Sequence, residues 1–448
     1  MTVWPAPADI TFGSPKKMTP PMSATGTVEK TVMVSDLAEN LIGSEIIRIA
    51  GEINALQAKG EKIHNLTIGD FSPAVFPLPD LLTELIREAY TQGHSNYPAA
   101  NGIQELREAV SRYVQRGQGL SFSADEVLIS GGARPLIYAT FKAIVNPGDR
   151  VVYPIPSWNN NHYTYLHDAV KVEVPTTPDN RFLPTAVDLR GHLEGASLLA
   201  LCSPLNPTGT SYTYHQLAEI CDLVLEENAR RAGQKPLYVM YDQVYQELTL
   251  GDTVHVDPVS IRPAMRPFTI YIDGISKSLA ATGVRVGWAF GPAIIINKMR
   301  AILSHVGAWA PKPEQVATAR FLDRTDAFDA AVQRHRHMIQ ERVSAYFDGF
   351  MKLKSEGLPV DAIPAQGAMY LTVRIGLIGR TTAEGDVLRD ASDVTYYLIK
   401  TGGVGLIPFF AFGTGTDSEW FRVSVGTTRM ADIEPVINGL RKAINALR

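Results

Sequence analysis

The chain has 448 residues, of which 45% are hydrophobic and 20% are charged, with a formal net charge of −4 at pH 7. This is the composition of a globular protein with room for more than one domain, and the small net charge excludes a strongly basic nucleic-acid-binding surface. The two cysteines, Cys202 and Cys221, are too few for a disulfide framework and favour a reducing, cytoplasmic location. No apolar run is long enough for a membrane-spanning helix, so a membrane is not an expected partner. Because the net charge is small, a nucleic acid is not an expected partner either.

The N-terminal part of the chain combines a polar tail with helical patterns. Residues 1–35 are rich in Pro, Thr and Ser and are interpreted as an N-terminal arm that is either disordered or lies on a partner subunit. Residues 37–58 follow a helical pattern, and a short strand is predicted at residues 66–68. Two further helices are predicted, one from Asp80 onward and one over residues 103–114.

The middle of the chain alternates short β-prone runs with helical patterns. Strands separated by helices indicate crossover connections, which build a mostly parallel sheet covered by helices on both faces. One of these helices begins with a capping box formed by Thr213 and Gln216. We therefore predict an α/β fold whose large domain has three layers, α/β/α. The predicted strands cover residues 127–130, 150–153, 198–202, 237–241 and 269–272.

Beyond about residue 322 the pattern changes to that of a smaller α+β domain. A long helix is predicted over residues 328–350, with strands at 369–373 and 421–425 and a closing helix from Asp432. The predicted organisation is an arm at residues 1–35, a large cofactor-binding domain at residues 80–321, and a small domain made from residues 36–79 and 322–448.

A lysine follows the predicted strand at residues 269–272 in a short polar turn. This residue, Lys277, has small and apolar neighbours, and Arg285 follows in the same segment. Burial and nearby cations lower the pKa of a lysine because each disfavours the ammonium, and the neutral amine attacks a carbonyl to form a Schiff base. The planar guanidinium of Arg285 is suited to binding a phosphate.

The run Ser-Lys-Ser-Leu-Ala-Ala-Thr-Gly-Val-Arg-Val-Gly at residues 276–287 resembles the lysine motif of the fold type I pyridoxal-phosphate aminotransferases, aminotransferase class I/II. The resemblance covers nearly the whole chain and is to the aspartate and aromatic aminotransferases in particular. It implies that pyridoxal 5′-phosphate is the cofactor, that Lys277 holds it as a Schiff base and that Arg285 binds its phosphate. It also implies a homodimer with two active sites at the subunit interface.

Two glycines between a predicted strand and a predicted helix form a second candidate phosphate contact. Backbone N–H groups at such a turn close on an anion, and the helix N-terminus adds partial positive charge. The resemblance assigns Gly132, Ala133 and Arg134 to this cofactor contact. It also assigns Tyr97, which stands before Pro98, to the cofactor phosphate of the partner subunit.

Polar residues follow two of the predicted strands directly. Asp242 ends one apolar run, and ligands of open α/β sheets bind at the carboxyl ends of the strands. A carboxylate there keeps a pyridine nitrogen protonated and makes the ring an electron sink. Asn206, within Asn-Pro-Thr-Gly after another strand, and Tyr245 match the residues that donate to the phenolic oxygen of the family's cofactor.

Arg422 lies on a predicted strand between apolar residues, where burying it without a partner would be very costly. The resemblance assigns it to the α-carboxylate of the substrate. By the same resemblance Gly69 and Asn206 contact the substrate, and Trp158 stacks on the cofactor ring and also faces the substrate.

The chain departs from the family pattern at two positions that bear on phosphate and substrate. Gly274 stands where many relatives have a phosphate-binding hydroxyl, so Ser276 is expected to take that part. Ala133 stands where one aspartate-specific branch has a lysine that reads the distal carboxylate. Arg134 and the stretch 304–315, which holds His305, Trp309 and Lys312, are the candidates to replace it.

The resemblance implies an aminotransferase that moves an amino group from an L-amino acid to 2-oxoglutarate, because nearly all of the family handles glutamate. Aspartate is the favoured donor, because Pro156-Ser157-Trp158 resembles the stacking motif of the aspartate-using relatives. An aromatic amino acid is the next, because an aromatic pocket is predicted from Trp158, Trp309, Phe409 and Phe410. A C–S lyase or a decarboxylase on the same scaffold is the alternative reaction, and a binding protein without turnover is the alternative class. No metal-binding motif occurs in the sequence.

Overall fold

The computed structural model of the chain describes residues 34–41, 43 and 45–448. The predicted arm at residues 1–35 therefore lies outside the described residues, apart from Val34 and Ser35. The strands are β1 (His64–Asn65), β2 (Val127–Ser130), β3 (Arg150–Ile155), β4 (Val170–Pro175), β5 (Ala196–Cys202), β6 (Tyr238–Asp242), β7 (Thr269–Gly274), β8 (Gly287–Phe290), β9 (Val360–Ile363), β10 (Tyr370–Ile375), β11 (Val404–Gly405), β12 (Ile407–Pro408) and β13 (Trp420–Ser424). The α-helices are α1 (Asp36–Glu39), α2 (Glu45–Ala58), α3 (Asp80–Thr91), α4 (Gln104–Gln118), α5 (Ala133–Ile144), α6 (Asn160–Leu166), α7 (Ala186–Arg190), α8 (Tyr214–Arg230), α9 (Pro258–Ile261), α10 (Ile275–Ser278), α11 (Ala293–Val306), α12 (Lys312–Leu322), α13 (Thr325–Ser355), α14 (Ala391–Tyr397) and α15 (Met430–Asn445).

The larger sheet has the strand order β2-β8-β7-β6-β5-β3-β4. Strand β8 runs antiparallel to both of its neighbours, and the other pairs are parallel. Successive residues of a strand point to opposite faces. Accordingly, Tyr271 of β7 packs in a core with α4 and α8, whereas Ile272 packs in another core with α5 and α11. The predicted α/β fold with a mostly parallel, doubly covered sheet is confirmed.

A second, smaller sheet has the order β12-β13-β10-β9, and all of its pairs are antiparallel. Val373 of β10 and Val423 of β13 share a buried core with Tyr346 of α13 and Leu440 of α15. Helices packed on an antiparallel sheet are the predicted α+β part of the fold. The predicted boundaries of the domains stay a prediction. Strands β1 and β11 form a separate parallel pair.

Three details of the N-terminal and middle segments differ from the sequence prediction. In place of one helix over residues 37–58, α1 ends at Glu39, because the Asn40 side chain donates a hydrogen bond of 2.8 Å to the Asp36 carbonyl and closes the turn. The strand predicted at residues 66–68 is β1 instead, two residues earlier. Strands β4, β8 and β9, and the two-residue strands β11 and β12 nearer the C-terminus, were not predicted. The capping box is confirmed, since the Thr213 hydroxyl accepts from the Gln216 amide at 3.2 Å.

Two features are absent from the part of the chain that the structure describes, a membrane-spanning helix and a cluster of metal-ligating side chains. No helix there combines the length and the apolar character needed to cross a bilayer. Nor does that part contain three or more His, Cys, Asp or Glu side chains placed together to hold a metal ion. Cys202 and Cys221 are both free thiols.

Candidate active site

The carboxyl ends of four strands of the larger sheet point to the same edge. Strand β8 is antiparallel to β2 and to β7, so β2, β5, β6 and β7 all run in one direction. Ligands of open α/β sheets bind in the crevice beyond such strand ends. Each of these four strands ends at or just before a residue that the sequence analysis singled out.

A cavity of about 580 Å³ lies at this edge. It brings together eleven of the thirteen predicted site residues. Gly132 and Tyr97 are the two that do not line it. The eleven are Gly69, Ala133, Arg134, Trp158, Asn206, Asp242, Tyr245, Ser276, Lys277, Arg285 and Arg422.

Lys277 projects into this cavity from α10, the short helix that follows β7. Its Nζ donates a hydrogen bond of 2.7 Å to the carbonyl oxygen of Gly69. Burial lowers the pKa of Lys277 to about 8, and the positive charges of Arg422 and Arg134 act in the same direction. The carboxylate of Asp70 opposes the shift. The amine is therefore neutral in a much larger fraction of molecules at pH 8 than an exposed lysine would be.

Asp242 is the last residue of β6 and forms part of the cavity wall. Enclosure by protein raises the pKa of its carboxyl to about 6, since burial disfavours the charged form. A hydrogen bond of 3.2 Å from the Val244 amide and the charge of Lys277 both oppose that rise. The carboxylate is thus poorly compensated by the protein and suited to pair with a cation in the cavity.

Arg422 on β13 is 1% exposed, and its guanidinium is held from two sides. One terminal nitrogen donates to the Asn206 side-chain oxygen at 3.0 Å, and the other donates to the Thr67 carbonyl at 2.7 Å. The buried Nε has no hydrogen-bond partner in the described part of the chain. Burial lowers the pKa of Arg422 from its ordinary value. A buried guanidinium with an unsatisfied donor is a strong binding point for a carboxylate.

Tyr245 and Tyr370 form a pair of hydroxyls in the wall of the cavity. Their oxygens lie 2.7 Å apart, and the Tyr370 ring lies 4.6 Å from the Arg422 guanidinium carbon. Burial raises the pKa of Tyr245 well above its ordinary value, so its hydroxyl stays protonated and acts as a donor.

Arg285 lies over the glycine turn between β2 and α5. One terminal nitrogen donates to the Gly131 carbonyl at 2.6 Å, and the other donates to the Thr282 carbonyl at 2.7 Å. Gly132 has φ +94°, and a Cβ there would overlap the Arg285 guanidinium. Only glycine allows this close approach, which places the arginine beside the N-terminus of the twelve-residue helix α5.

The missing hydroxyl at Gly274 has a steric explanation. Gly274 pairs with Gly287 across β7 and β8, and a Cβ at Gly274 would lie 2.8 Å from the Gly287 Cα and 2.9 Å from the Val286 carbonyl oxygen. No side chain fits there. Ser276, two residues later, lines the cavity and offers the nearest hydroxyl on the same segment.

Trp158 and Arg134 lie together in the cavity wall, with the Arg134 guanidinium carbon 4.8 Å from the centre of the Trp158 ring. Tyr97 is 81% exposed, and its ring contacts Trp309 at 5.3 Å between centroids. In a single chain Tyr97 therefore lies at the surface and does not line this cavity.

Several residues near the site were assigned differently or missed by the sequence analysis. Asp70, Thr282 and Cys202 line the cavity without having been predicted, and Asp70 accepts hydrogen bonds of 2.7 Å from the Thr282 hydroxyl and from the Phe71 amide. The sequence did contain a signal for Asp70, since this carboxylate directly follows Gly69, a predicted substrate contact. The aromatic pocket is reduced to Trp158, Tyr245 and Tyr370, because the residues predicted to extend it pack elsewhere in the chain. These residues are Trp309, Phe409 and Phe410, and the distal-carboxylate candidates His305 and Lys312 do not line the cavity either.

Comparison with known proteins identifies relatives along most of the chain. A family model described as aminotransferase class I and II matches residues 61–440. A probable aspartate/prephenate aminotransferase of Rhizobium leguminosarum bv. phaseoli is 28% identical over 398 residues, 88% of this chain and 94% of the relative. A bifunctional aspartate aminotransferase and glutamate/aspartate-prephenate aminotransferase of Petunia hybrida is 27% identical over 430 residues, 95% of this chain and 86% of the relative.

Solved structures give the same result for the fold. The crystal structure of the aspartate aminotransferase of Rhizobium meliloti superposes with a TM-score of 0.85 at 23% identity, covering 93% of this chain and all of that one. The aspartate aminotransferase of Thermus thermophilus with maleate superposes with a TM-score of 0.80 at 25% identity, covering 92% of this chain and 99% of that one.

Proposed function

This chain belongs to the aminotransferase class I and II family, and on that premise we propose that it moves an amino group from L-aspartate to 2-oxoglutarate. Membership makes the protein a transaminase that depends on pyridoxal 5′-phosphate and acts on amino acids and 2-oxo acids. The observation that carries the proposal is the single cavity in which Lys277, Asp242 and Arg422 meet. Relatives described as aspartate aminotransferases support the choice of donor.

The residues of the cavity fit the phosphate of the cofactor. Gly132 leaves the space in which Arg285 approaches the N-terminus of α5, and this forms a cationic cradle at a helix N-terminus. We propose that Arg285, Ser276 and the backbone of Gly132 and Ala133 hold the phosphate there.

The residues also fit the cofactor ring. Asp242 is a carboxylate that enclosure leaves in need of a cation, and the ring nitrogen would supply one. Asn206 and Tyr245 offer donors to the phenolic oxygen, and Trp158 offers a face for stacking. When bound, pyridoxal 5′-phosphate supplies a carbonyl carbon for the amino group and a protonated ring that draws electrons from the substrate Cα.

We assign to Lys277 both the covalent attachment of the cofactor, as a Schiff base, and the movement of protons. A pKa of about 8 makes its Nζ a competent nucleophile near neutral pH. With an amino acid bound, the same Nζ would take the proton from the substrate Cα as a general base and return it as a general acid. Its hydrogen bond to the Gly69 carbonyl holds the side chain on the substrate side.

Arg422 orients the substrate in this proposal. Its guanidinium is fixed by Asn206 and Thr67, so an α-carboxylate paired with it has one defined position. Gly69 lies against the same guanidinium, and a Cβ at this position would be 3.7 Å from both terminal nitrogens. The substrate Cα is then presented to the Lys277 amine.

A homodimer with shared active sites completes the proposal. Tyr97 is exposed in one chain although the resemblance gives it a role at a cofactor phosphate, and a second copy of the chain would bury it. Each site would then take Tyr97 from the partner subunit and the other residues from its own chain.

A donor panel tests the proposed reaction. The purified protein with bound cofactor is incubated with 2-oxoglutarate and aspartate, phenylalanine, tyrosine, alanine or valine, and glutamate and the new 2-oxo acid are quantified. We expect aspartate to have the highest kcat/KM. A higher value for alanine or valine than for aspartate and the aromatics rejects the donor. Release of carbon dioxide or of a thiol in place of glutamate rejects the proposed transfer in favour of a decarboxylase or a lyase.

A further inference from the structure

Four cationic side chains line the active-site cavity, and three of them already have partners or proposed tasks. Lys277 donates to the Gly69 carbonyl, Arg422 to Asn206 and Thr67, and Arg285 to two carbonyl oxygens. The fourth, Arg134, makes neither a hydrogen bond nor an ion pair with any residue that the structure describes. It is therefore the cation of the cavity whose N–H donors find no acceptor in the described part of the chain.

The contact of Arg134 with Trp158 leaves its hydrogen-bonding edge available. The guanidinium carbon lies 4.8 Å from the centre of the Trp158 ring. An arginine placed over an aromatic ring uses the face of the guanidinium, whereas its N–H donors lie in the plane and point outward. Those donors match the two oxygens of a carboxylate.

The position of Arg134 separates it from the phosphate cradle and relates it to the substrate. The guanidinium of Arg285 covers Gly131 and Gly132, and the guanidinium of Arg134 lies on the tryptophan instead. Arg134 and Arg422 both line the cavity into which the reacting amine of Lys277 projects. A ligand beside Lys277 that carries two carboxylates would pair one with each arginine, and a monocarboxylate would leave Arg134 unpaired.

We propose that Arg134, supported by Trp158, binds the distal carboxylate of a dicarboxylic substrate and determines the specificity of the enzyme for acidic amino and 2-oxo acids. This inference rests on the proposed function and adds to it the residue that reads the second acidic group. Ala133, directly before it, has no charge to offer, so the task falls to the next residue of the same helical turn.

The test compares two ligands that differ only in the second carboxylate. Binding of succinate and of butyrate to the cofactor-loaded enzyme is measured by titration calorimetry for the wild type, Arg134→Gln, Arg134→Lys and the control Arg87→Gln. Arg87 is an exposed arginine of α3. Cofactor content is measured for each variant.

We expect Arg134→Gln to weaken succinate binding about tenfold to hundredfold, the usual effect of losing a charged hydrogen-bonded pair, and to leave butyrate binding and cofactor content unchanged. The affinity of Arg134→Lys for succinate should lie between those of the wild type and Arg134→Gln, because lysine keeps the positive charge but lacks the planar, doubly donating guanidinium. Arg87→Gln should match the wild type. The two Arg134 variants should lose kcat/KM for aspartate but not for 2-aminobutyrate.

Three results separate this inference from the proposed function. An unchanged ratio of succinate to butyrate affinity in Arg134→Gln overturns the inference. Loss of cofactor with equal weakening of both ligands also overturns it and makes Arg134 a phosphate ligand. If the wild type transaminates no acidic amino acid while the ratio still falls, the proposed donor fails and the anion-binding role of Arg134 stands.

Discussion

The Nζ of Lys277 lies 2.7 Å from the carbonyl oxygen of Gly69, to which it donates a hydrogen bond. Gly69 is also the residue against which the Arg422 guanidinium packs. The candidate base and the candidate carboxylate-binding group therefore lie on two sides of one glycine. A side chain at residue 69 would separate a bound α-carboxylate from the amine that must reach the neighbouring Cα.

Replacing Lys277 by alanine should abolish the covalent attachment of the cofactor. No other amine lines the cavity among the described residues, so borohydride treatment should leave no cofactor fixed to the chain. Turnover should fall by at least about 10²- to 10⁴-fold, the usual contribution of a general acid–base group. Mass spectrometry after reduction measures the attachment, and Lys298→Ala, on the exposed side of α11, is the control. Cofactor still fixed to Lys277→Ala would move the attachment to another residue.

The reactivity of Lys277 should increase as the pH rises through about 8, because its amine becomes neutral there. The carboxylate of Asp70 stabilises the ammonium, so Asp70→Asn should lower the pKa of Lys277 further and move this midpoint to lower pH. The rate at which the cofactor-free protein takes up pyridoxal 5′-phosphate, measured from pH 6 to pH 10, reports the midpoint. Asp252→Asn changes the same charge at an exposed position and should have no effect. A midpoint that moves to higher pH in Asp70→Asn contradicts this electrostatic explanation.

Asp242→Asn should reduce turnover far more than it reduces cofactor binding. The carboxylate acts on charge that develops during the reaction, and removing one such group costs about 10²- to 10³-fold in kcat. In the cofactor-free protein the Asp242 carboxyl takes up a proton as the pH falls through about 6, so cofactor uptake should decline below that pH. Steady-state kinetics and the dissociation constant of the cofactor are measured together. Near-normal kcat with full occupancy would remove Asp242 from the mechanism.

Gly132→Ala should weaken cofactor binding by a steric route. Gly132 and Gly233 both have positive φ, +94° and +82°, so alanine at either position costs about 1 kcal/mol of folding stability or more. Only at Gly132 would the new methyl group overlap the Arg285 guanidinium, and nothing lies within 4 Å at Gly233. Thermal unfolding should therefore show a loss in both variants, and cofactor affinity should fall only in Gly132→Ala. Equal affinity in the two variants would argue against the phosphate cradle.

Tyr97→Phe should retain the cofactor poorly, and mixing it with Arg422→Ala should restore activity if the sites are shared between subunits. In a mixed dimer of Tyr97→Phe and Arg422→Ala, one site has the intact Arg422 of its own chain and the intact Tyr97 of the other. Random exchange should then give about a quarter of the wild-type rate when the cofactor is limiting. Each variant exchanged with itself is the control. Absence of recovery after confirmed exchange would place Tyr97 outside the shared site.

Much of the site was predictable because several of its residues directly follow apolar runs, and such runs are typical of buried strands. Asp242 ends an apolar run, and Asn206 comes shortly after another, so parallel strands bring both to one edge of the sheet. Lys277 and Arg285 belong to one short segment, so their relative position depends mainly on the local course of the chain. For these residues the spacing in the chain already contains most of the geometry.

The rest depends on contacts between distant segments. Tyr370 reaches Tyr245 across 125 positions of the chain, and nothing in either local sequence indicates the pairing. Strand β8 escaped prediction because it follows the lysine segment without a crossover helix and runs antiparallel to β7, contrary to the alternating pattern. Asp70 was passed over because its role depends on where the Lys277 amine lies after folding.

The close pairing of Gly274 with Gly287 limits how this site can change during evolution. Any side chain at residue 274 would press on the Gly287 backbone at 2.8 Å, so a single substitution that introduces a hydroxyl there would be rejected at the level of folding. The neighbouring strand has equally little freedom, because a Cβ at Gly287 would lie 2.9 Å from the Ala133 amide nitrogen at the start of α5. An ancestral change between glycine and a hydroxyl-bearing residue at position 274 would have needed coordinated backbone shifts in β7, β8 and α5. Engineering of phosphate affinity should therefore begin at residue 276, where a side chain already faces the cavity.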